Sequence, residues 1–230
     1  VYYFYSYFFI EDKSKPINFS VPTGNFGDVY AGYLAKKIGL PVNRFVVATN
    51  QNDILQRAIS KGIYEVKKVS ETISPSMDIQ IASNFERLIY DLNDCNDEKT
   101  IEAMMKIKKN GKYTISQENL NKIKIDFLSS RMDEKEVLKT IKDVFERFKI
   151  VLDPHTAIGY GAFDKVDLDG NNIVLATAHP SKFPAAIEKA IDLKAELPDE
   201  LRFVLDEKEN YDVIENSLDK IKQHIKERIK

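Results

Sequence analysis

Cysteine is nearly absent from this sequence, which contains only Cys95 among its 230 residues. A single cysteine excludes an internal disulfide framework and is typical of a reducing compartment, so we expect a cytoplasmic protein. A large excess of one charge is also absent, since 34 Lys and Arg are balanced by 36 Asp and Glu. The charge balance therefore gives no reason to expect nucleic acid or a membrane as a partner.

The first ten residues, VYYFYSYFFI, are strongly aromatic but do not have the features of a membrane span or a secretory leader. Ten residues are too few to cross a bilayer. The segment has neither a basic start nor a small-residue cleavage site. We expect a buried helix or strand here and, because the sequence does not begin with methionine, a fragment of a longer protein.

The order of the predicted elements is that of an open α/β sheet. Residues 17–23 and 43–50 (INFSVPT and NRFVVATN) predict two strands, and a third is predicted at residues 173–176. A helix follows each of the first two strands, with Gly39 and Gly62 placed to end these helices. This alternation predicts right-handed βαβ units and a mostly parallel sheet with flanking helices.

The middle and the end of the sequence are predicted to be helical. We expect helices at residues 78–92 and 133–149, a helical insertion with a mobile surface at residues 93–130, and one or two amphipathic helices at residues 211–230. The chain then divides into an α/β part (residues 1–92), a helical subdomain (93–150), and a return to the α/β core with C-terminal helices (151–230).

Three polar segments follow the predicted strands, at residues 23–28, 49–53 and 177–182. Ligands of open α/β sheets bind at the carboxyl ends of the strands, so we expect these segments to converge on a site.

The first polar segment contains Gly24, Asn25, Phe26, Gly27 and Asp28. It matches neither the dinucleotide-binding fingerprint G-x-G-x-x-G nor the phosphate-binding Walker A loop. A glycine turn at the start of a helix can direct several N–H groups at a phosphate. It can equally be a plain strand-to-helix turn in which Asp28 caps the helix. The residues alone leave both interpretations open.

The other candidate residues form weaker patterns. Asn84 and Arg87 share one helix face, which suits a phosphate or carboxylate ligand, or else Arg87 forms a surface ion pair. Lys182 is a lone lysine, which is more often solvated than nucleophilic. Residues 153–157 (DPHTA) predict a helix cap supplied by Asp153 or Thr156, and no second His or Cys lies at metal-ligand spacing. The three histidines support no Ser-His-Asp arrangement.

Five blocks, in this order, resemble the C-terminal portion of the threonine synthases of bacteria and fungi. The resemblance runs from the first residues to about Leu193 and is weakest at residues 93–130 and after Leu197. The five blocks are VPTGNFGDVYAGYLAKKIGLP, ATNQNDIL, SPSMDIQIASNFERL, LDPHTAIG and ATAHPSKFPAAIEKA.

The resemblance implies a tryptophan-synthase-β-like fold (PLP fold type II) and a lyase that uses pyridoxal 5′-phosphate to convert O-phospho-L-homoserine and water to L-threonine and phosphate. It assigns residues 24–28 to the cofactor phosphate and Thr177 to the pyridine nitrogen. We expect Ser83, Asn84 and Arg87 to bind the substrate phosphate.

The family's Schiff-base lysine is expected upstream, in an N-terminal domain that this chain lacks. We therefore expect no catalytic residue here and no activity from this chain alone. Two alternatives stay open: a non-catalytic relative that binds pyridoxal phosphate or phosphate, and a related phospho-lyase that does not make threonine.

Overall fold

Four parallel strands form a sheet at the centre of the structure, a computed structural model that describes residues 1–229. Two shorter strands pair antiparallel beside it. In chain order the strands are β1 (Ile17–Pro22), β2 (Arg44–Thr49), β3 (Ile63–Glu65), β4 (Lys112–Thr114), β5 (Phe127–Arg131) and β6 (Asn171–Val174). The order in the main sheet is β5, β2, β1, β6, so the predicted parallel sheet is confirmed.

Helices cover both faces of this sheet. Along β2, Phe45 and Val47 belong to one hydrophobic cluster, whereas Val46 and Ala48 belong to another. Successive strand residues point to opposite faces, so both faces are buried. The α-helices are α1 (Tyr2–Phe8), α2 (Gly27–Lys37), α3 (Ile54–Lys61), α4 (Phe85–Leu92), α5 (Asp97–Asn110), α6 (Gln117–Asp126), α7 (Glu134–Phe148), α8 (Pro154–Ala162), α9 (Pro184–Ile191) and α10 (Leu218–Arg228).

The register of the sheet places large aromatic side chains in one row. Phe19 on β1 lies opposite Phe45 on β2, which lies opposite Phe127 on β5. Each of these three rings is at most 1% exposed. Burial of side chains of this size contributes about 1.5–3 kcal/mol each, so this row is a principal source of the sheet's stability.

The N-terminal segment, predicted as a buried helix or strand, forms the helix α1, and Tyr3 is its buried residue. The Tyr3 ring is 2% exposed and packs edge-on against Phe19 and Phe45. Tyr2 and Phe8 are 74% and 71% exposed. Tyr3 is thus the buried residue of α1, and the partly buried Phe4 and Tyr7 also pack against the core.

Two predictions for the middle of the chain need correction. The helix predicted at 78–92 begins only at Phe85, because the Asp78 side chain is engaged with a neighbouring loop. The helical interpretation of residues 93–130 holds for α5 and α6 but is wrong for β4, which pairs with β3, and for β5, which lies at the edge of the parallel sheet. Phe127 is 1% exposed, so burial against β2 favours a strand within a polar stretch.

The chain forms two compact units, residues 1–195 and 196–230. The first contains both sheets. The second contains a 3-10 helix (Asp199–Leu205) and α10. Of the one or two helices predicted at residues 211–230, one is present, over Leu218–Arg228, and residue 230 lies outside the described residues. The three-part division at residues 92 and 150 stays a prediction. Within residues 1–229, no helix has the length and apolar content to cross a membrane.

Candidate functional site

A cleft of about 370 Å³ lies beyond the carboxyl ends of β1 and β6. Two of the three predicted polar segments, residues 23–28 and 177–182, contribute to its walls. The cleft is lined by Pro22, Thr23, Gly24, Asn25, Phe26, Gly27, Asp28, Ser76, Met77, His155, Thr177, Ala178, Lys182 and Phe183. The predicted convergence is therefore observed for these two segments.

The loop at residues 24–28 presents its backbone donors without protein acceptors. Phe26 has a left-handed conformation with φ of 67°, and its buried ring packs edge-on against Phe85 at 5.2 Å. Within the described chain, no backbone N–H of residues 24–28 donates a hydrogen bond to another protein group. Consecutive free N–H groups at the start of a helix form a favourable anion site.

Gly24 allows this loop to lie against a second backbone segment. A Cβ atom at Gly24 would lie 2.4 Å from the carbonyl oxygen of Ser76. That contact is too short for any side chain, so Gly24 is required by packing rather than by its φ angle. The loop at residues 74–77 thus supports the loop at residues 24–28.

The interpretation of Asp28 as the helix cap is wrong. Phe26 occupies the N-cap position of α2 without a side-chain cap, and Asp28 lies in the first turn. The Tyr3 hydroxyl donates to the backbone oxygen of Asp28 at 2.9 Å and lies 3.2 Å from its Oδ1. Burial raises the pKa of the Asp28 carboxyl, although the hydrogen bond from Tyr3 acts in the opposite direction. The Asp28 carboxylate is thereby hydrogen-bonded to Tyr3 of α1.

The polar segment at residues 49–53 does not line the cleft but fixes the loop that supports it. Nδ2 of Asn50 lies 2.9 Å from Oγ1 of Thr72 and 2.7 Å from Oδ1 of Asp78. Asn52 donates to the same Oδ1 at 2.9 Å. The Thr72 N–H donates to the other carboxylate oxygen at 2.7 Å. This network places Ser76 against Gly24.

Ser83 and Asn84 contact the loop at residues 24–28 through Asn25. The Asn84 N–H and Nδ2 donate to the backbone oxygen of Asn25 at 3.0 and 3.1 Å, and the Ser83 N–H donates to its Oδ1 at 3.4 Å. Arg87 instead lines a separate groove with Tyr30 of α2 and with residues of α4 and α5. The structure thus brings Ser83 and Asn84 to the loop but not Arg87 to the cleft.

Thr177 and Lys182 line the other side of the cleft, and both are exposed. Neither side chain forms a hydrogen bond or ion pair with any residue of the described chain. The Thr177 hydroxyl and the Lys182 ammonium group are therefore available to a ligand.

The sequence reasoning did not identify His155 as a site residue. Asp153 caps α8 as predicted, accepting from the N–H groups of His155 and Thr156 at 2.9 and 3.3 Å. Its Oδ1 also lies 2.9 Å from Nδ1 of His155. Burial opposes ionisation of Asp153, but hydrogen bonds from His155 and Thr156 outweigh it and lower its pKa. The sequence signal that could have identified His155 is the Asp-Pro-His sequence at the start of α8, which holds the histidine beside the capping aspartate.

The comparisons with known proteins agree on one family. A family model described as "Threonine synthase, C-terminal" matches residues 156–225. A threonine synthase from Pseudomonas aeruginosa is 39% identical over 228 residues, which cover 98% of this chain and 49% of that protein.

Two solved structures share the fold over nearly the whole chain. PLP-bound threonine synthase from Brucella melitensis has a TM-score of 0.91 at 40% identity, covering 98% of this chain and 49% of that one. Threonine synthase from yeast has a TM-score of 0.87 at 38% identity, covering 98% and 50%. The chain thus spans about half the length of the relatives it matches.

Proposed function

Because this chain belongs to the threonine synthase family, we propose that its cleft holds pyridoxal phosphate and that the whole protein converts O-phospho-L-homoserine and water to L-threonine and phosphate. The observation that carries the proposal is the set of backbone N–H groups at residues 24–28, which find no acceptor among residues 1–229. We further propose the cytoplasmic location that the single cysteine favours.

The loop fits the phosphate of this cofactor in shape and charge. The α2 N-terminus adds the positive end of its helix dipole to the free N–H groups. The Asp28 carboxylate, which would repel a phosphate, is engaged by Tyr3. A phosphate at residues 24–28 would therefore accept hydrogen bonds from these N–H groups and would not face an unpaired carboxylate.

Thr177 is the residue proposed to meet the pyridine nitrogen. It lines the same cleft as residues 24–28, and its hydroxyl is available. Pyridoxal phosphate supplies an electron sink when bound. A neutral hydroxyl does not hold a proton on the ring nitrogen as a carboxylate would. With Thr177 at the ring nitrogen, the cofactor would withdraw electrons less strongly. A weaker electron sink suits elimination and replacement at carbons beyond the α position.

The substrate phosphate requires a cation, and Lys182 is the candidate that lies in the cleft. Its position suits electrostatic binding of a phosphate. The assignments of Ser83, Asn84 and Arg87 to the substrate stay predictions. Ser83 and Asn84 contact Asn25, so we propose that their role is to support the loop.

The first experiment compares pyridoxal phosphate with pyridoxal in equilibrium dialysis against the 230-residue chain. If residues 24–28 bind the phosphate, pyridoxal phosphate will bind at least about 100-fold more tightly, since each hydrogen bond to a charged group contributes about 1.5–3 kcal/mol. Equal affinities would contradict the proposed cofactor site. Borohydride treatment should leave Lys182 unmodified, because the covalent lysine is expected elsewhere in the family.

The second experiment measures threonine and phosphate release by the whole protein. Lys182→Ala should raise KM for O-phospho-L-homoserine at least about tenfold, the effect of losing one charged hydrogen bond. Arg87→Ala is the comparison variant, and a rise in its KM alone would move the substrate site to Arg87. Phosphate release without threonine would favour the related phospho-lyase, and neither product would favour the non-catalytic relative.

A further inference from the structure

His155 has a buried polar atom that the described chain leaves unsatisfied. The residue is 4% exposed, and its Nε2 has no hydrogen-bond partner within residues 1–229. The other ring nitrogen, Nδ1, lies 2.9 Å from Oδ1 of Asp153. A buried polar group without a partner costs about 1–3 kcal/mol, and His155 lines the cleft, so a cleft ligand can supply the missing partner.

The surroundings of His155 determine what that ligand must be. The Asp153 carboxylate can only accept a hydrogen bond, so it keeps a proton on Nδ1 and leaves Nε2 as the nitrogen available to a ligand. With a proton on both nitrogens the ring donates from Nε2, and an anion is the acceptor that suits this form. The Phe183 ring lies 4.7 Å from the imidazole, centroid to centroid, and restricts its orientation. The ring is therefore held with one donor for an anion.

Two phosphates must be accommodated if the proposed function is correct. The N–H groups of residues 24–28 serve one of them. Among the lining residues, only His155 and Lys182 have side chains that can carry a positive charge, and Lys182 precedes the Phe183 that packs on His155.

We propose that Nε2 of His155 donates a hydrogen bond to the phosphate of the substrate, beside Lys182, with Asp153 as the residue that positions the ring. The inference rests on the proposed function, because it assigns the loop at residues 24–28 to the cofactor. It makes His155 a substrate-binding residue in addition to its structural contact with Asp153.

The test is calorimetric titration of sulfate, a stable dianion, into the chain saturated with pyridoxal phosphate. His155→Asn places its amide near the Nδ1 position, whereas His155→Gln reaches the Nε2 position. We expect the Asn variant to bind sulfate at least about tenfold more weakly and the Gln variant to stay within about threefold of wild type. His224→Gln, on a histidine of the unit at residues 196–230 that is not part of the cleft lining, should leave the affinity unchanged.

Equal losses in the Gln and Asn variants, or no loss in either, would overturn the inference. A second measurement does not depend on the stability of the variants. Long-range ¹H–¹⁵N spectra of the wild-type chain should show the Nε2 resonance of His155 shifting on addition of O-phospho-L-homoserine, and a stationary resonance would also overturn it.

The two proposals fail in different ways. Failure of the wild-type chain to bind pyridoxal phosphate contradicts the cofactor site. In that case the same sulfate titrations without cofactor, with the Asn and Gln variants, still decide whether His155 binds an anion.

Discussion

Phe26 shows how one residue orients the loop at residues 24–28. Its φ of 67° is uncommon for a residue with a side chain. The ring is 1% exposed and contacts Phe85 and Phe127, so packing compensates for the backbone strain. The buried ring fixes the loop from inside, while the backbone N–H groups stay available.

The first prediction concerns Gly24. Gly24→Ala would place a Cβ 2.4 Å from the Ser76 carbonyl oxygen, which is backbone and cannot move aside cheaply. We expect a loss of about 1–3 kcal/mol in the free energy of unfolding, with weaker binding of pyridoxal phosphate. Urea denaturation and equilibrium dialysis measure the two effects.

Gly27→Ala is the matched control for Gly24. Its Cβ would lie 3.3 Å from Nδ2 of Asn84, a side-chain atom that can shift. The loss of stability should be smaller than for Gly24→Ala. Equal losses would show that the close approach to Ser76 is not the cause.

The second prediction concerns pH and Asp153. Its pKa is lowered in the folded protein, so it contributes stability above its unfolded pKa of about 3.9 that is lost as pH falls through the folded value. Wild type should therefore lose stability more steeply than Asp153→Asn below about pH 4. Urea unfolding at pH 2.5–5 measures this, and parallel curves would contradict it.

Among the elements, the loop at residues 70–78 depends on a small polar network rather than on regular structure. The carboxylate of Asp78 accepts hydrogen bonds from Asn50, Asn52 and Thr72. A second contact comes from Glu134 at the start of α7, whose Oε1 accepts from the Ile73 N–H at 3.0 Å. The strand end at β2 and the first turn of α7 thus position this loop together.

The third prediction tests this network. Asp78→Ala should lower the free energy of unfolding by about 2 kcal/mol, because several donors lose a charged acceptor. It should also speed amide exchange at residues 70–78. Asp167→Ala, an exposed carboxylate, is the control and should change stability by less than about 0.5 kcal/mol. Unchanged exchange in Asp78→Ala would show that the loop does not need the network.

At the scale of the whole molecule, the two compact units differ in how they are stabilised. Both hydrophobic clusters lie within residues 1–195. In residues 196–229, no residue is buried. The first unit therefore contains the apolar burial that stabilises the described chain, and it also contains every residue of the candidate site.

The fourth prediction follows from this difference. A chain that ends at Ala195 should fold and keep its thermal midpoint within about 5 °C of that of the 230-residue chain, because it keeps both clusters. It should also bind pyridoxal phosphate equally well. Differential scanning calorimetry and dialysis test this, and a chain that fails to fold would show that residues 196–230 are needed for stability.

The sequence by itself determined the parallel sheet, the helix ends at Gly39 and Gly62, the loop at residues 24–28, the cap at Asp153, and the family. These features depend on residues close together in the chain, where periodicity, glycine positions and capping residues act locally. The five sequence blocks, in their order, also identified the family, because each block is a pattern of residues that are close together in the chain.

Only the tertiary structure decided the role of Asp28, the strand β5 and the position of Arg87. Tyr3 engages Asp28 across 25 positions, and β5 is a strand because Phe127 is buried beside Phe45. Arg87 faces a groove between helices rather than the cleft. His155 lies in the cleft wall because folding packs Phe183 against it and brings Lys182 into the same lining. Such contacts join distant parts of the chain, so packing of the whole fold, not local pattern, fixes them.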